Sequence, residues 1–283
     1  MTTDKASEVL AAWEVSSQYW NKHQALIEQM YAPLSQALIE EAQIVSGQTV
    51  LDVGGGSGEP SLTIAAVVGN SGFVTYTDPA AGMVKAARAE AERRGLANIQ
   101  FHQCSAEQLP FADASFDVAV GRMSAMFFND VAAGLREILR VVKPGGHVSF
   151  LVWANKEVNP FFNVVTEILD RFVPADLEEE DAPTAFRFSV PGKLAKLLTA
   201  AGATSVTERP FQFSIEAPIT VEQFWELRTE MSDTFRNKLR RLVPDQVGAI
   251  KYTVQKKVGS YFKTGGMVFP GQVLLVTGKK PAN

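Results

Sequence analysis

Between Val50 and Pro60 the chain reads Val-Leu-Asp-Val-Gly-Gly-Gly-Ser-Gly-Glu-Pro, a glycine-rich turn set between a short apolar run and a helical stretch. Such a turn brings backbone close to a ligand, because no side chain intervenes and positive φ costs glycine little. A nucleotide-like cofactor is the natural occupant, and the spacing selects among the possibilities. The dinucleotide fingerprint G-x-G-x-x-G needs a third glycine that falls at Glu59 or Ser57 in the available registers, and no Gly-Lys-Ser/Thr follows to form a Walker-type phosphate loop. Glycines instead alternate at Gly54, Gly56 and Gly58, with Gly55 between the first two and Asp52 on the preceding strand. A carboxylate there repels a pyrophosphate and suits a cation such as the amino-acid end of S-adenosylmethionine. Asp78 follows about twenty residues later, where an acidic side chain can accept both ribose hydroxyls of an adenosine cofactor, though a helix cap or turn would use aspartate equally well.

Positioning these groups requires alternating strands and helices. Short apolar runs predict strands at 49–53, 72–78, 99–103, 116–120 and 147–153, with helices at 61–68, 80–94 and 131–142 between them. Gly95 closes the second of these helices, and Lys143-Pro144-Gly145-Gly146 reads as a turn that ends the third. Two or three helices over about 9–44 precede the first strand; their aromatics Trp13, Tyr19, Trp20 and Tyr31 serve core packing or line a ligand site. Beyond Trp153 the alternation breaks. Helices are expected at 161–172 and 193–201, after which Ser205–Glu216 reads as a strand interrupted by Pro210. A helical excursion over 221–262 then precedes a last strand, 272–277, antiparallel to the previous one, with the excursion as an inserted lid. The expected fold is α/β: a doubly wound, Rossmann-like, mostly parallel seven-stranded sheet with helices on both faces and the last strand antiparallel. One domain spans 1–283, with N-terminal helices at 1–45, a cofactor core at 46–153, helical lid insertions at 154–192 and 217–265, and the end of the sheet at 193–216 and 266–283.

Several runs taken together resemble the class I methyltransferases of the ubiquinone/menaquinone-biosynthesis type. They are Val50 to Gly58, Tyr76-Thr77-Asp78-Pro79 leading to Met83, Ser105-Ala106-Glu107-Gln108-Leu109-Pro110-Phe111, Ser115-Phe116-Asp117, and Arg136 to Gly146. The resemblance covers about half the chain, in the right order, and implies S-adenosylmethionine as cofactor and S-adenosylhomocysteine as product. It implies that Gly54, Gly56 and Gly58 cradle the cofactor with Asp52 near its amino group, that Asp78 holds the ribose, and that Pro79 and Met83 border the adenine while Ala106 and Glu107 lie along its edge. The family usually has aspartate where this chain has Ser105, a weaker acceptor for the adenine amino group. Gly121 and Arg122 fall where the family opens its active site, with Arg122 toward the cofactor carboxylate. Met123, Met126 and Phe127 just beyond, Trp153 and Phe161, and the N-terminal Tyr19, Trp20 and His23 are the candidate substrate pocket, against the alternative of ordinary core.

Methyl transfer from a sulfonium is an in-line displacement, so the protein mainly orients the reactants and excludes water. A general base is needed only when the acceptor must lose a proton. Of the three histidines, His102 and His147 fall in strands and point to structural or surface roles; His23 is the better placed base, and no residue is assigned as catalytic. No metal is expected, because Asn129 and Asp130 lack a third partner. The single cysteine, Cys104, excludes an internal disulfide and a cysteine-based metal cluster. A net charge of −4 argues against a nucleic-acid partner. The start lacks the pattern of a secretory signal and no segment is apolar for long enough to span a bilayer, so the location expected is cytoplasmic. The expected partner is a small, apolar or aromatic molecule, and the state a monomer or homodimer. A non-catalytic, cofactor-binding relative is the alternative, and a nicotinamide oxidoreductase fails on the glycine spacing.

Overall fold

Val50, Leu51 and Val53 alternate with Asp52 in strand β1 (Thr49–Val53), yet all four are buried. Parallel strands covered on both faces have this near-continuous burial. The computed structural model describes residues 2–174 and 181–282. In it β1 pairs in parallel with β2 (Phe73–Asp78) on one side and β4 (Phe116–Arg122) on the other. β3 (Ile99–Gln103) continues the parallel array beyond β2, and β5 (Val142–Trp153) continues it beyond β4. β8 (Gly266–Lys279) is antiparallel to both β5 and β6 (Thr204–Ala217), giving the order β3-β2-β1-β4-β5-β8-β6. The expected seven-stranded sheet is present, with a two-residue strand β7 (Phe262–Lys263) added against β8.

The N-terminal segment forms α1 (Thr2–Lys22) and α2 (Gln24–Glu41). Helices α3 (Ser61–Val68) and α4 (Ala81–Arg93) link β1 to β2 and β2 to β3, while α5 (Val131–Val141) links β4 to β5. Right-handed crossovers running in opposite directions from the centre of the sheet place α5 on the face opposite α3 and α4. The strand order reverses between β1 and β4, which opens a crevice at their carboxyl ends. α6 (Pro160–Asp170) and α7 (Lys193–Ala200) follow β5. The excursion between β6 and β8 consists of α8 (Val221–Met231), α9 (Asp233–Leu239) and α10 (Pro244–Val258). α8 packs against α1 and α10. None of the described helices is long and apolar enough to cross a membrane.

Four strands differ from the sequence expectation. Pro210 does not interrupt β6: it pairs with Leu274, and β6 is an edge strand, where a missing N–H is tolerated. Lys143–Gly146 belongs to β5 rather than to a free turn, with Gly145 at φ +78° donating to the Lys280 carbonyl. Gly121 and Arg122 lie inside β4, and β8 is longer than expected because it pairs along the whole of β6. Of the acidic run at 176–181, only Asp181 falls among the described residues, where it pairs with Lys193.

Candidate active site

The loop after β1 is shaped by its glycines. Gly54 (φ +71°), Gly56 (φ +55°) and Gly58 (φ +122°) adopt backbone that other residues take only with strain. A Cβ on Gly54 would meet that of Ser124 at 2.5 Å, and one on Gly58 would meet Leu62 Cδ1 at 2.7 Å, so both are filled positions. Gly56 is the exception, because nothing lies within 4 Å of where its Cβ would stand. The loop thus turns bare backbone at Gly56 toward open space. Tyr76 supports it from below, its hydroxyl donating to the Gly56 carbonyl at 2.5 Å. Gly55 lies over the Tyr76 ring and the Asp52 carboxylate, which leaves no room for a side chain there.

Asp78 ends β2 beside this opening. Its Oδ2 accepts the Gly56 N–H at 3.0 Å and its Oδ1 the Ala80 N–H at 2.9 Å, so the carboxylate clamps the loop to the start of α4. Each oxygen keeps a further lone pair. Burial pushes the Asp78 carboxyl up to about 6, against the pull of those two backbone donors. Asp52 is wholly buried; Ser61 donates to its Oδ2 at 2.6 Å and its Oδ1 has no partner. Burial carries its carboxyl up to about 7, opposed by the Ser61 hydrogen bond and by Arg122. A second orphaned group stands nearby: the Ser124 hydroxyl is buried against Gly54 and Gly121 without a partner.

Other candidates are held elsewhere. Arg122 donates to the Tyr31 carbonyl (3.3 Å), the Ser35 hydroxyl (2.9 Å) and the Glu59 carbonyl (3.0 Å), so it pins α2 beneath the glycine loop. Glu107 holds the entry to α5, taking the N–H groups of Asn129 at 2.7 Å and Asp130 at 3.2 Å, while Asp130 itself caps the helix. Met83 and Ala106 are buried, Ser105 is half-buried, and Pro79 is exposed at the rim. Of the pocket candidates, Met126 is fully buried, as is Phe161, whose ring packs between Phe224 and Phe269 as core beneath the insertion. Phe127 is partly buried and meets Trp13 edge-on at 5.0 Å, and Trp13 meets Trp20 at 5.7 Å, so α1 lays an aromatic cover over the end of β4. The Trp20 indole N–H has no partner. Met123, partly buried just after β4, has φ +60° and donates its N–H to the Leu151 carbonyl at 2.9 Å. Trp153, at the end of β5, meets Tyr31 at 5.9 Å and Phe162 at 4.7 Å.

His23 stands at the break between α1 and α2, its Nε2 2.5 Å from Glu230 of α8. Tyr19 lies under the Arg236 guanidinium, 4.5 Å from its ring centroid. His147 binds the Ala42 carbonyl and His102 packs on Phe111, roles that are structural. Among the described residues no cluster of histidine, cysteine and carboxylate is arranged to hold a metal. Sequence reasoning missed Glu14, which reaches from α1 to accept the N–H groups of Ala81 (2.5 Å) and Gly82 (3.0 Å) at the start of α4. It also left aside Ser124, although the small residue follows from the tight approach of Gly54. Tyr31 stands among the N-terminal aromatics read as core or ligand lining, whereas Arg228 carried no local signal, because the chain segments that bring the two together are far apart.

Residues 51–150 match a methyltransferase domain family. The aklanonic acid methyltransferase DauC of Streptomyces sp. strain C5 is 33% identical over 143 residues, 50% of this chain and 64% of that one. The ubiquinone/menaquinone biosynthesis C-methyltransferase UbiE of Xanthomonas campestris is 40% identical over 114 residues, 40% of this chain and 45% of its own length. The chain thus spans about half the length of the curated relatives it matches. In fold it is similar to the YcgJ protein of Bacillus subtilis, with a TM-score of 0.57 at 20% identity, covering 88% of this chain and 98% of that one. Over 51–150 the chain therefore matches a methyltransferase domain and is similar to the ubiquinone/menaquinone C-methyltransferases.

Proposed function

We propose that the protein transfers a methyl group from S-adenosylmethionine to a small, apolar or aromatic acceptor, releasing S-adenosylhomocysteine. The observation that carries this reading is the pairing of a bare backbone loop at Gly56 with the Asp78 carboxylate, whose two oxygens retain acceptor capacity after binding Gly56 and Ala80. That pairing fits an adenosine cofactor, and the unpartnered Asp52 Oδ1 fits its cationic amino group. The bound cofactor supplies the electrophilic methyl on a sulfonium, whose sulfur keeps the bonding pair as the methyl passes to the acceptor.

In this reading Asp78 accepts the ribose hydroxyls, Gly54–Gly58 give their backbone to the cofactor, and Pro79, Met83, Ser105 and Ala106 flank the adenine. The contribution of Glu107 and Arg122 is one of position: they hold α5 and α2 against the loop. Trp13, Trp20, Met123 and Phe127 border the methyl acceptor and exclude water, with Tyr31 and Trp153 on its far side. One domain does this work, residues 46–153 as cofactor core and 154–192 and 217–265 as its cover. DauC, named for an acid, and UbiE, named for quinone biosynthesis, both act on small organic molecules by their names, which supports the acceptor class.

The test is calorimetric titration with S-adenosylmethionine, S-adenosylhomocysteine and NADH. The wild type is expected to bind the first two and not the third. Asp78→Ala should weaken both by at least about tenfold, the scale of lost hydrogen bonds to a charged group, and Gly56→Val should abolish binding while the protein keeps its circular dichroism spectrum. Unchanged affinity in both variants would remove the cofactor from this loop.

A further inference from the structure

One buried cation in the cover has no counter-charge among the described residues. α8 carries Arg228 inward to 6% exposure, and its guanidinium carbon lies 4.8 Å from the ring centroids of both Phe161 and Phe162. Among the described residues its Nε has no hydrogen-bond partner, and the one titratable group that acts on it is the Tyr31 phenol. Neighbouring buried cations are treated differently. Arg236 is held by Asp233 and Ser16, and Lys238 by Asp170. Desolvation draws the Arg228 guanidinium down to about 10. Aromatic faces offset part of that cost, but an apolar side chain of similar size would avoid it altogether.

Position says what the charge is for. Phe162, beneath Arg228, meets Trp153 at 4.7 Å; Tyr31 meets Trp153 at 5.9 Å and lies 6.0 Å from Arg122. Arg228 therefore lies over the ring cluster that runs from Phe161 and Phe162 to Trp153 at the carboxyl end of β5. The acids of the cofactor side, Glu59 and Asp52, act on Arg122 and not on Arg228, which sets Arg228 apart from the glycine loop. Phe161 and Phe162 stand at 81° to one another on one side of the guanidinium, and the N–H groups turned away from them remain for a planar oxyanion, the geometry in which arginine binds carboxylates.

We propose that Arg228, assisted by the Tyr31 hydroxyl, is a specificity-determining residue that holds the carboxylate of an aromatic or apolar acid, making the methyl acceptor an organic anion rather than a neutral molecule. This rests on the methyl-transfer reading for the word acceptor, but not for the binding itself.

The experiment compares 2-naphthoate with its methyl ester, titrated by tryptophan fluorescence into wild type, Arg228→Met and Arg228→Lys, with and without saturating S-adenosylhomocysteine. Wild type should prefer the acid. Arg228→Met should lose roughly 10- to 100-fold in affinity for the acid and little for the ester, with Arg228→Lys intermediate and S-adenosylhomocysteine binding unchanged in both. Arg228→Met should melt at or above the wild-type temperature, because an unpaired buried charge has been removed. Equal binding of acid and ester, binding of neither, or a marked fall in melting temperature of Arg228→Met would each overturn the proposal, the last by making the arginine structural. Failure of the methyl-transfer reading would show separately, as absence of S-adenosylhomocysteine binding to wild type.

Discussion

Asp52 has two unlike oxygens, one accepting from Ser61 and one without a partner, in a carboxyl wholly removed from water. Burial lifts it from the ordinary 3.8 to about 7, more than Ser61 and Arg122 can reverse. Between those values the folded chain holds a proton that the unfolded chain has released, so this group lowers stability as pH rises through that window. Asparagine does not titrate and preserves the bond to Ser61. The cofactor-free Asp52→Asn variant should therefore gain on wild type as pH rises from 5 to 8, with the larger melting-temperature gap at pH 8, by differential scanning fluorimetry; an equal gap at both pH values would show that the carboxyl is not the titrating group. At this scale the sequence was informative wherever function is local. Asp52, Gly56 and Asp78 stand in short runs whose spacing carries their meaning. Arg228 and Tyr31 stand in no run: each is an ordinary helical residue until the fold sets one near the other.

Elements were legible to the extent that their own residues determine them. The amphipathic stripe of α5 and the apolar runs of β1, β2 and β3 identify them within a residue or so. The length of β8 and the continuity of β6 through Pro210 depend on partners distant in sequence, and periodicity holds no record of those. The join between β5 and α6 is a case where one side chain replaces regular pairing. Asn159, fully buried, donates to the carbonyls of Ala154 (3.2 Å), Asn155 (3.0 Å) and Gln272 (3.0 Å) and accepts the Gln272 N–H at 2.9 Å. Alanine there leaves the Ala154 carbonyl and the Gln272 N–H to find other partners, while the Asn155 and Gln272 carbonyls keep one backbone donor each, so Asn159→Ala should cost about 2–4 kcal/mol. Urea denaturation measures it. A loss below about 0.5 kcal/mol, the scale of an ordinary surface substitution, would mean that water or neighbouring backbone replaces the amide.

At the scale of the molecule, α1 and α2 tie the cofactor loop to the insertion. Gln24 donates to the Ser57 carbonyl at 2.5 Å, Glu14 caps α4, and Glu230 of α8 receives both Lys22 Nζ at 2.7 Å and His23 Nε2 at 2.5 Å. The insertion was legible in the sequence as a change of pattern between two strands, but its docking onto the N-terminal helices was not, because the joining residues are more than two hundred positions apart. Those bonds lie near the surface, where ion pairs add little to global stability. Their consequence is local: they hold the cover over the loop. Glu230→Gln keeps the size of the side chain and removes the charge that both Lys22 and His23 meet. The variant should melt close to wild type, yet exchange its α1 amides faster and release S-adenosylhomocysteine several-fold faster in stopped-flow, because a ligand leaves as often as its cover opens. A release rate equal to wild type, with faster exchange in α1, would separate the latch from the exit route and leave the aromatic contact of Trp13 with Phe127 as the element that must part.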